Sequence, residues 1–195
     1  MRPHGSTKDR QPISSDEFLR LINITSRDKS LQRTSRRKMI RAFTLLRLTG
    51  CRVSEIINFS KGDLEHILQH SSYSLDNKNK TRKPRLLRFE RQGMEMIKNL
   101  KCDDTENLLF YKNASSKAMS VAVFTRELNK QIKKVLGELY TSHSFRAGII
   151  TDTLNATGNI RIAQAIAGHK DFEMTLSYLK ASNEDIYKAL EKVIW

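Results

Sequence analysis

Apolar residues at Met39, Phe43 and Leu46, with Ile40 beside them, recur at the spacing of one helical face and stop at Thr49-Gly50, which predicts a helix ending there. A shorter helix carrying Val53, Ile56 and Ile57 follows. After Lys61-Gly62-Asp63 the pattern breaks into short apolar runs separated by polar stretches. Leu64 to Leu68, Tyr73 to Leu75 and Leu86 to Phe89 predict three strands of a small antiparallel sheet, with Pro84 at a turn edge. From Gly93 the helical period returns. Met94 and Ile97 start one helix, and Ser120 caps a longer one whose stripe runs Phe124, Leu128, Ile132 and Val135, with Lys130, Lys133 and Lys134 outside it. Further helices are expected from Ser142 to Ala156 before Gly158, from Ile160 to Ala167 stopped by Gly168, from Asp171 to Leu179, and from Ser182 to Trp195. The expected fold is α+β and mostly helical, with a three-stranded antiparallel sheet inserted after the second of these helices.

Charge changes this picture most. The 195 residues include 35 Lys or Arg against 21 Asp or Glu, a formal charge of +14, and 38% of them are hydrophobic. That apolar share and length suffice for a sizeable core. The excess of cations points to a polyanionic partner, because each Lys or Arg placed on a phosphate releases a condensed counterion; a membrane surface or an acidic protein could also accept it. The longest apolar stretches, such as Ala42 to Leu48, are interrupted by Thr44 and Arg47 and cannot span a bilayer. No apolar leader follows Met1-Arg2-Pro3-His4, and Cys51 and Cys102 have no metal-ligand or CxxC spacing. A reducing compartment such as the cytoplasm is therefore expected. The basic run Lys29, Arg33, Arg36, Arg37, Lys38 and Arg41 reads as an arm leading into a helix, and residues 1–36 are assigned to the basic arm and the first helix of the domain.

Three segments set unusual polar residues among apolar ones. Thr49-Gly50-Cys51-Arg52-Val53-Ser54-Glu55 places an Arg at a helix start after a Gly turn, with a Glu three residues on; taken alone this is most often a surface ion pair. In Ser142-His143-Ser144-Phe145-Arg146 the His and Arg share a helical face while Phe145, Ile149 and Ile150 take the core side. The third is Ala167-Gly168-His169, followed nine residues later by Tyr178, with Thr175 between.

Together these segments resemble the catalytic domain of the tyrosine recombinase (phage integrase) family, over roughly residue 12 to Leu179 with weaker likeness through the final helix, so that the catalytic domain is assigned to residues 12–195. Thr49, Gly50, Arg52, Ser54 and Glu55 match the family's T-G-x-R-x-S-E block. His143, Arg146, Gly168, His169 and Tyr178 match H-x-x-R, G-H and the nucleophilic Tyr. The family also places a Lys in a strand-joining turn. Here Lys80, Lys83 and Arg85 align with its K-x-x-K-x-R run, which favours Lys80, with Lys78 as the alternative. Two departures stand out: Arg146 is followed by Ala147 where many members have His, and the chain has no room for the separate helical core-binding domain of about a hundred residues that typical members carry. It is expected to be an excised catalytic domain or a short member, like the fimbrial phase-variation invertases.

The resemblance implies a site-specific DNA recombinase that needs no metal, ATP or other cofactor and passes through a 3′-phosphotyrosyl link and a Holliday junction. Catalytic roles fall on Arg52, Lys80, His143, Arg146, His169 and Tyr178, with Glu55 orienting its neighbours. Duplex DNA is the implied partner, gripped by Arg36, Arg37, Lys38, Lys78, Arg82, Lys83, Lys130, Lys133 and Lys134. A homotetramer on synapsed DNA, a monomer free in solution and accessory DNA-bending proteins are also implied, and no membrane. The alternatives are type IB topoisomerase-like relaxation and a non-catalytic DNA-binding member of the fold. His66 and His70, at i, i+4, are not expected to hold a metal because they fall on a predicted strand and loop. Tyr73, Tyr111, Tyr140 and Tyr187 lack the G-H spacing of Tyr178. The stripe Ile186, Leu190, Val193, Ile194 and Trp195 fits either core or a contact with a neighbouring subunit.

Overall fold

A computed structural model of the chain describes residues 11–75, 85–100, 108–111 and 118–168, together with Thr175 and Glu191. The helices expected from 171 to 179 and from 182 to 195 lie almost entirely outside these. The chain divides into two compact units, Met1–Ile149 and Ile150–Trp195.

In the first unit, Ser14 and Glu17 exchange hydrogen bonds in a capping box that starts α1, Ser15–Arg27. Phe18 and Leu21 form its buried face, and α1 packs on α2 and α6. The long helix α2, Arg33–Thr49, buries almost everything from Met39 to Leu46 and ends at Gly50, whose φ of 60° is left-handed. Phe43 stacks on Phe145 with ring centroids 5.7 Å apart, and Phe18 meets Phe145 edge-on at 6.4 Å. These rings seat the start of α7, Ser142–Thr157, against α1 and α2. The backbone completes the seating. Ile13 N–H donates to Ser144 O at 3.0 Å, and a Cβ built on Gly148 would lie 2.3 Å from Ile13 O. Only glycine allows that approach.

Between α2 and α6 come the short α3, Val53–Ile56, then α4, Lys61–His70, the hairpin strands β1, Ser72–Ser74, and β2, Leu86–Arg88, and α5, Arg91–Lys98. The expected strand from Leu64 to Leu68 is instead helix α4. Leu64 and Ile67 are three residues apart, a spacing that suits a helical face as well as a short apolar run. The choice is made by a capping box in which Asp63 N–H donates to Ser60 Oγ, and the Asp63 carboxylate accepts from Ser60 N–H at 2.7 Å. Tyr73 hydroxyl donates to the other Asp63 oxygen at 2.7 Å, tying β1 to the start of α4. Among the described residues the sheet therefore has two antiparallel strands, paired Ser72 with Arg88, Tyr73 with Leu87 and Ser74 with Leu86. The fold is mostly helical with a small antiparallel sheet, as the sequence pattern implies.

Helix α6, Val121–Leu136, follows the expected stripe and buries Phe124, Leu128, Ile132 and Val135. Ser120 occupies its N-cap position without a side-chain hydrogen bond to the first turn. In the second unit, Ile150, Leu154, Ala163 and Ala167 are buried. Asn159 caps α8, Ile160–Ala167, by accepting from Arg161 N–H at 3.0 Å, and Gly168 closes it with a φ of 62°. No helix among the described residues is long and apolar enough to cross a membrane.

Candidate active site

The turn between α2 and α3 is held by its own side chains. Thr49 hydroxyl donates to Leu45 O at 2.6 Å and accepts from Cys51 N–H at 3.1 Å, so one hydroxyl closes α2 and directs the exit. A Cβ on Gly50 would lie 2.9 Å from the Ile149 side chain. Left-handed backbone and this crowding together explain a glycine after Thr49. Arg52 then stands at the N-cap of α3 with Glu55 a turn later. The Glu55 carboxylate accepts from Arg52 N–H at 2.7 Å and pairs with its guanidinium at 3.1 Å, which fixes Arg52 from both ends.

Helix α7 supplies the second guanidinium. Arg146 is only 4% exposed and donates from Nη1 to Gly50 O at 2.7 Å, so the turn that positions Arg52 also receives Arg146. His143 lies one helical turn earlier and is exposed; its backbone N–H donates to Thr141 hydroxyl. Just upstream, Tyr140 hydroxyl donates to the Glu17 carboxylate, which anchors the approach to α7 on α1. Burial works to raise the Glu17 carboxyl, but the hydrogen bonds from Tyr140 and Ser14 outweigh it and hold it below its usual value. Ala147 is fully buried.

A third guanidinium was not singled out as functional from the sequence. Arg85, the residue before β2, donates from Nη2 to Cys51 Sγ at 2.7 Å and lies 3.5 Å from Glu55 Oε2. Its signal was its place at the end of the K-x-x-K-x-R run. Burial, then the Arg52 charge, lower the Arg146 guanidinium to about 10, with Arg85 adding to the effect and Glu55 opposing it. Arg52 and Arg85 thus share the Glu55 carboxylate, and Arg146 reaches the Gly50 carbonyl of the same turn. Cys51 beside it is inert: burial first, then the Glu55 charge, push its thiol up to about 11 despite the opposing Arg85.

Of the residues assigned catalytic roles from the sequence, Arg52 and Arg146 come together here with Glu55, and His143 shares a helix with Arg146. Lys80, His169 and Tyr178 lie outside the described residues, as do Lys78, Arg82 and Lys83. The remaining basic candidates sit on α2 and α6. Arg36 donates to Asp28 O at 3.2 Å, and Arg37 is half-buried. The Lys38 ammonium donates to Tyr111 O at 2.6 Å and lies 4.1 Å from the centre of that ring. Lys133 pairs with Glu138 and Lys134 with Asp28, whose carboxyl the Lys134 contact, then Ser30, hold well below its usual range; Lys130 is exposed. A cavity of about 320 Å³ opens beside Lys38 and Tyr111 and shares no lining residue with the arginine cluster. His66 and His70 occupy the exposed face of α4, not a strand and a loop, with ring centroids 4.4 Å apart. No group of three or more His, Cys, Asp or Glu able to hold a metal occurs among the described residues.

Residues 11–185 match the model of the phage integrase family. Among curated proteins, the chain is 28% identical over 151 residues to a tyrosine recombinase XerC of Leptospira interrogans, covering 74% of this chain and 47% of that protein. It is 24% identical over 184 residues to a tyrosine recombinase of Thermosipho africanus, covering 93% of this chain and 61% of that one. The chain spans about half the length of the first relative. Among solved structures, it is similar to a XerA recombinase, with a TM-score of 0.67 and 23% identity over 93% of this chain and 65% of that one. It is also similar to the Tn1549 transposon integrase in complex with a circular intermediate DNA, with a TM-score of 0.70 and 21% identity over 97% of this chain and 68% of that one.

Proposed function

Because the chain belongs to the phage integrase family, we propose that it is a site-specific DNA recombinase that cuts and rejoins duplex DNA through a covalent tyrosyl intermediate. The observation that supports this most is that Arg52 and Arg146 come together at the Gly50 turn, Arg52 held by Glu55 and Arg146 by the Gly50 carbonyl. A phosphodiester entering there would meet two fixed, planar donors of the kind that stabilise charge on non-bridging oxygens in phosphoryl transfer.

In this reading the Tyr178 hydroxyl attacks the scissile phosphorus, His143 takes its proton or holds the phosphate, and the bond to the 5′ oxygen breaks. Lys80, or Lys78 in its place, protonates that departing oxygen. His169 donates a hydrogen bond to a phosphate oxygen, and Glu55 holds Arg52. The 3′-phosphotyrosyl link conserves the energy of the bond, so a 5′-hydroxyl of a partner strand reseals the DNA without metal or ATP. Two such exchanges through a Holliday junction, in a homotetramer of otherwise monomeric chains on synapsed duplexes, would give integration, excision, inversion or resolution. The transposon integrase of similar fold is itself described in complex with DNA, which supports duplex DNA as the partner.

The test is a nicked suicide duplex carrying a site selected from the DNA that flanks the gene. A covalent protein–DNA adduct is expected to accumulate, and Tyr178→Phe to abolish it while duplex binding persists. An adduct surviving that substitution would overturn the nucleophile. Relaxation of supercoiled plasmid with no site preference and no junction would indicate a topoisomerase, and binding without any adduct a non-catalytic member.

A further inference from the structure

Glu55 is 3% exposed, and its carboxylate is divided between two guanidiniums. Arg52 takes the pairing at 3.1 Å from Nη1 and a backbone bond at 2.7 Å, while Arg85 Nη2 lies 3.5 Å from Oε2 and 2.7 Å from Cys51 Sγ. The two arginines differ in access. The Arg52 side chain is 31% exposed and that of Arg85 10%, so Arg52 is the one a phosphate can reach. Arg85 is also fixed by its backbone, since its carbonyl accepts from Leu75 N–H at 3.0 Å and closes the paired end of the β1–β2 hairpin.

We propose that Arg85 is a positioning residue of the cleavage reaction: its guanidinium, wedged between Cys51 Sγ and the Glu55 carboxylate, holds Glu55 so that Arg52 is oriented yet keeps its charge for the scissile phosphate. The physical reason lies in how one negative charge is shared. A carboxylate facing Arg52 alone in a desolvated place closes into a neutral pair and withdraws that arginine from any third partner. With Arg85 competing for the same carboxylate, neither guanidinium is fully neutralised, and the surplus stays on the exposed Arg52. An arginine suits the task because its Nη2 carries two N–H donors held in the guanidinium plane, one for the sulfur and one for the oxygen; the three donors of a lysine ammonium rotate about a single point charge. Arg85 also ties the Arg52 turn to the base of the hairpin whose connecting residues, 76–84, include Lys78 and Lys80.

This inference rests on the recombinase reading, and the experiment separates the two. Adduct formation on the nicked suicide duplex is compared for the parent, Arg85→Met, Arg85→Lys, Glu55→Gln and the Glu55→Gln/Arg85→Met double variant. Arg85→Met is expected to slow adduct formation by about 10²-fold, as for a misplaced catalytic group, with duplex affinity within about threefold of the parent. In the Glu55→Gln background the same change should cost no more than about threefold, because its route of action is gone. Arg85→Lys, which retains the charge, should remain slow. Equal losses in both backgrounds, full rescue by lysine, or an unchanged rate in Arg85→Met would each overturn the proposal. If the parent itself forms no adduct, the recombinase reading fails, and positioning is read without DNA from the Arg52 Nε–Hε resonance. Slower guanidinium rotation of Arg52 in Arg85→Met than in the parent, as its pair with Glu55 tightens, supports the proposal, and unchanged or faster rotation overturns it.

Discussion

The Arg146 guanidinium donates to Gly50 O at 2.7 Å, joining residues far apart in the chain across the turn that also aims Arg52. The carbonyl is available because Gly50 ends α2 in the left-handed conformation, which turns the backbone out of the helix. Orientation of both arginines therefore depends on one glycine.

Gly50→Ala is expected to cost roughly 1–2 kcal/mol from the left-handed backbone alone, before the crowding of the new Cβ against Ile149 is added. Urea unfolding reads the stability loss. Adduct formation should fall more than the folded fraction does, because Arg52 and Arg146 are displaced together.

Arg52→Lys and Arg146→Lys each keep a charge and lose paired donation. Each is expected to lower the single-turnover cleavage rate by about 10²- to 10³-fold, as for loss of one preorganised donor to a transition-state oxyanion, with smaller effects on duplex affinity. Rates within threefold of the parent would remove these residues from the chemistry.

Gly148→Ala tests the N-terminal tie. The added methyl would stand 2.3 Å from Ile13 O, backbone that cannot swing aside, so Ile13 must shift and loosen its bond to Ser144 O. Such overpacking is expected to cost roughly 1–3 kcal/mol. Hydrogen exchange at Ile13 should quicken more than exchange in α4.

Cys51 should resist iodoacetamide at pH 8 in the folded protein and react on denaturation, as mass mapping of the alkylated peptide can show. The sign of the pH effect follows from a thiol pushed up to about 11 from 9.0. Its contribution to stability is present below about pH 9 and is lost as pH rises toward 11, because the unfolded chain releases the proton first. Between those values, unfolding midpoints of Cys51→Ala should fall less steeply with pH than those of the parent.

Duplex binding should weaken steeply with salt, given 35 basic against 21 acidic residues. A loss of about 10³-fold between roughly 50 and 200 mM salt is expected if six or more phosphates are contacted. A flat titration would contradict a phosphate grip.

Boundaries were legible in the sequence wherever a single residue type enforces them. Gly50 ends α2, Gly168 ends α8, and Ser142 opens α7 where the pattern places them. Leu64 to Leu68 was misread because its apolar spacing satisfies a strand and a helical face alike, and the deciding hydrogen bonds between Ser60 and Asp63 belong to a cap upstream of the run. The reading of His66 and His70 as strand and loop failed for the same reason.

The sequence by itself determined the helical periods, the breakers between them, the large cationic excess and the spaced motif containing Arg52, Glu55, His143 and Arg146. These are local or additive properties, which a linear chain carries without folding. Only the tertiary structure decided that Arg146 meets the Gly50 carbonyl and that Arg85, one cation among several at the end of its run, shares Glu55 with Arg52. Such partnerships form between residues 30 to 96 positions apart, and they depend on packing and desolvation that bring charges together when the core around Phe43 and Phe145 closes.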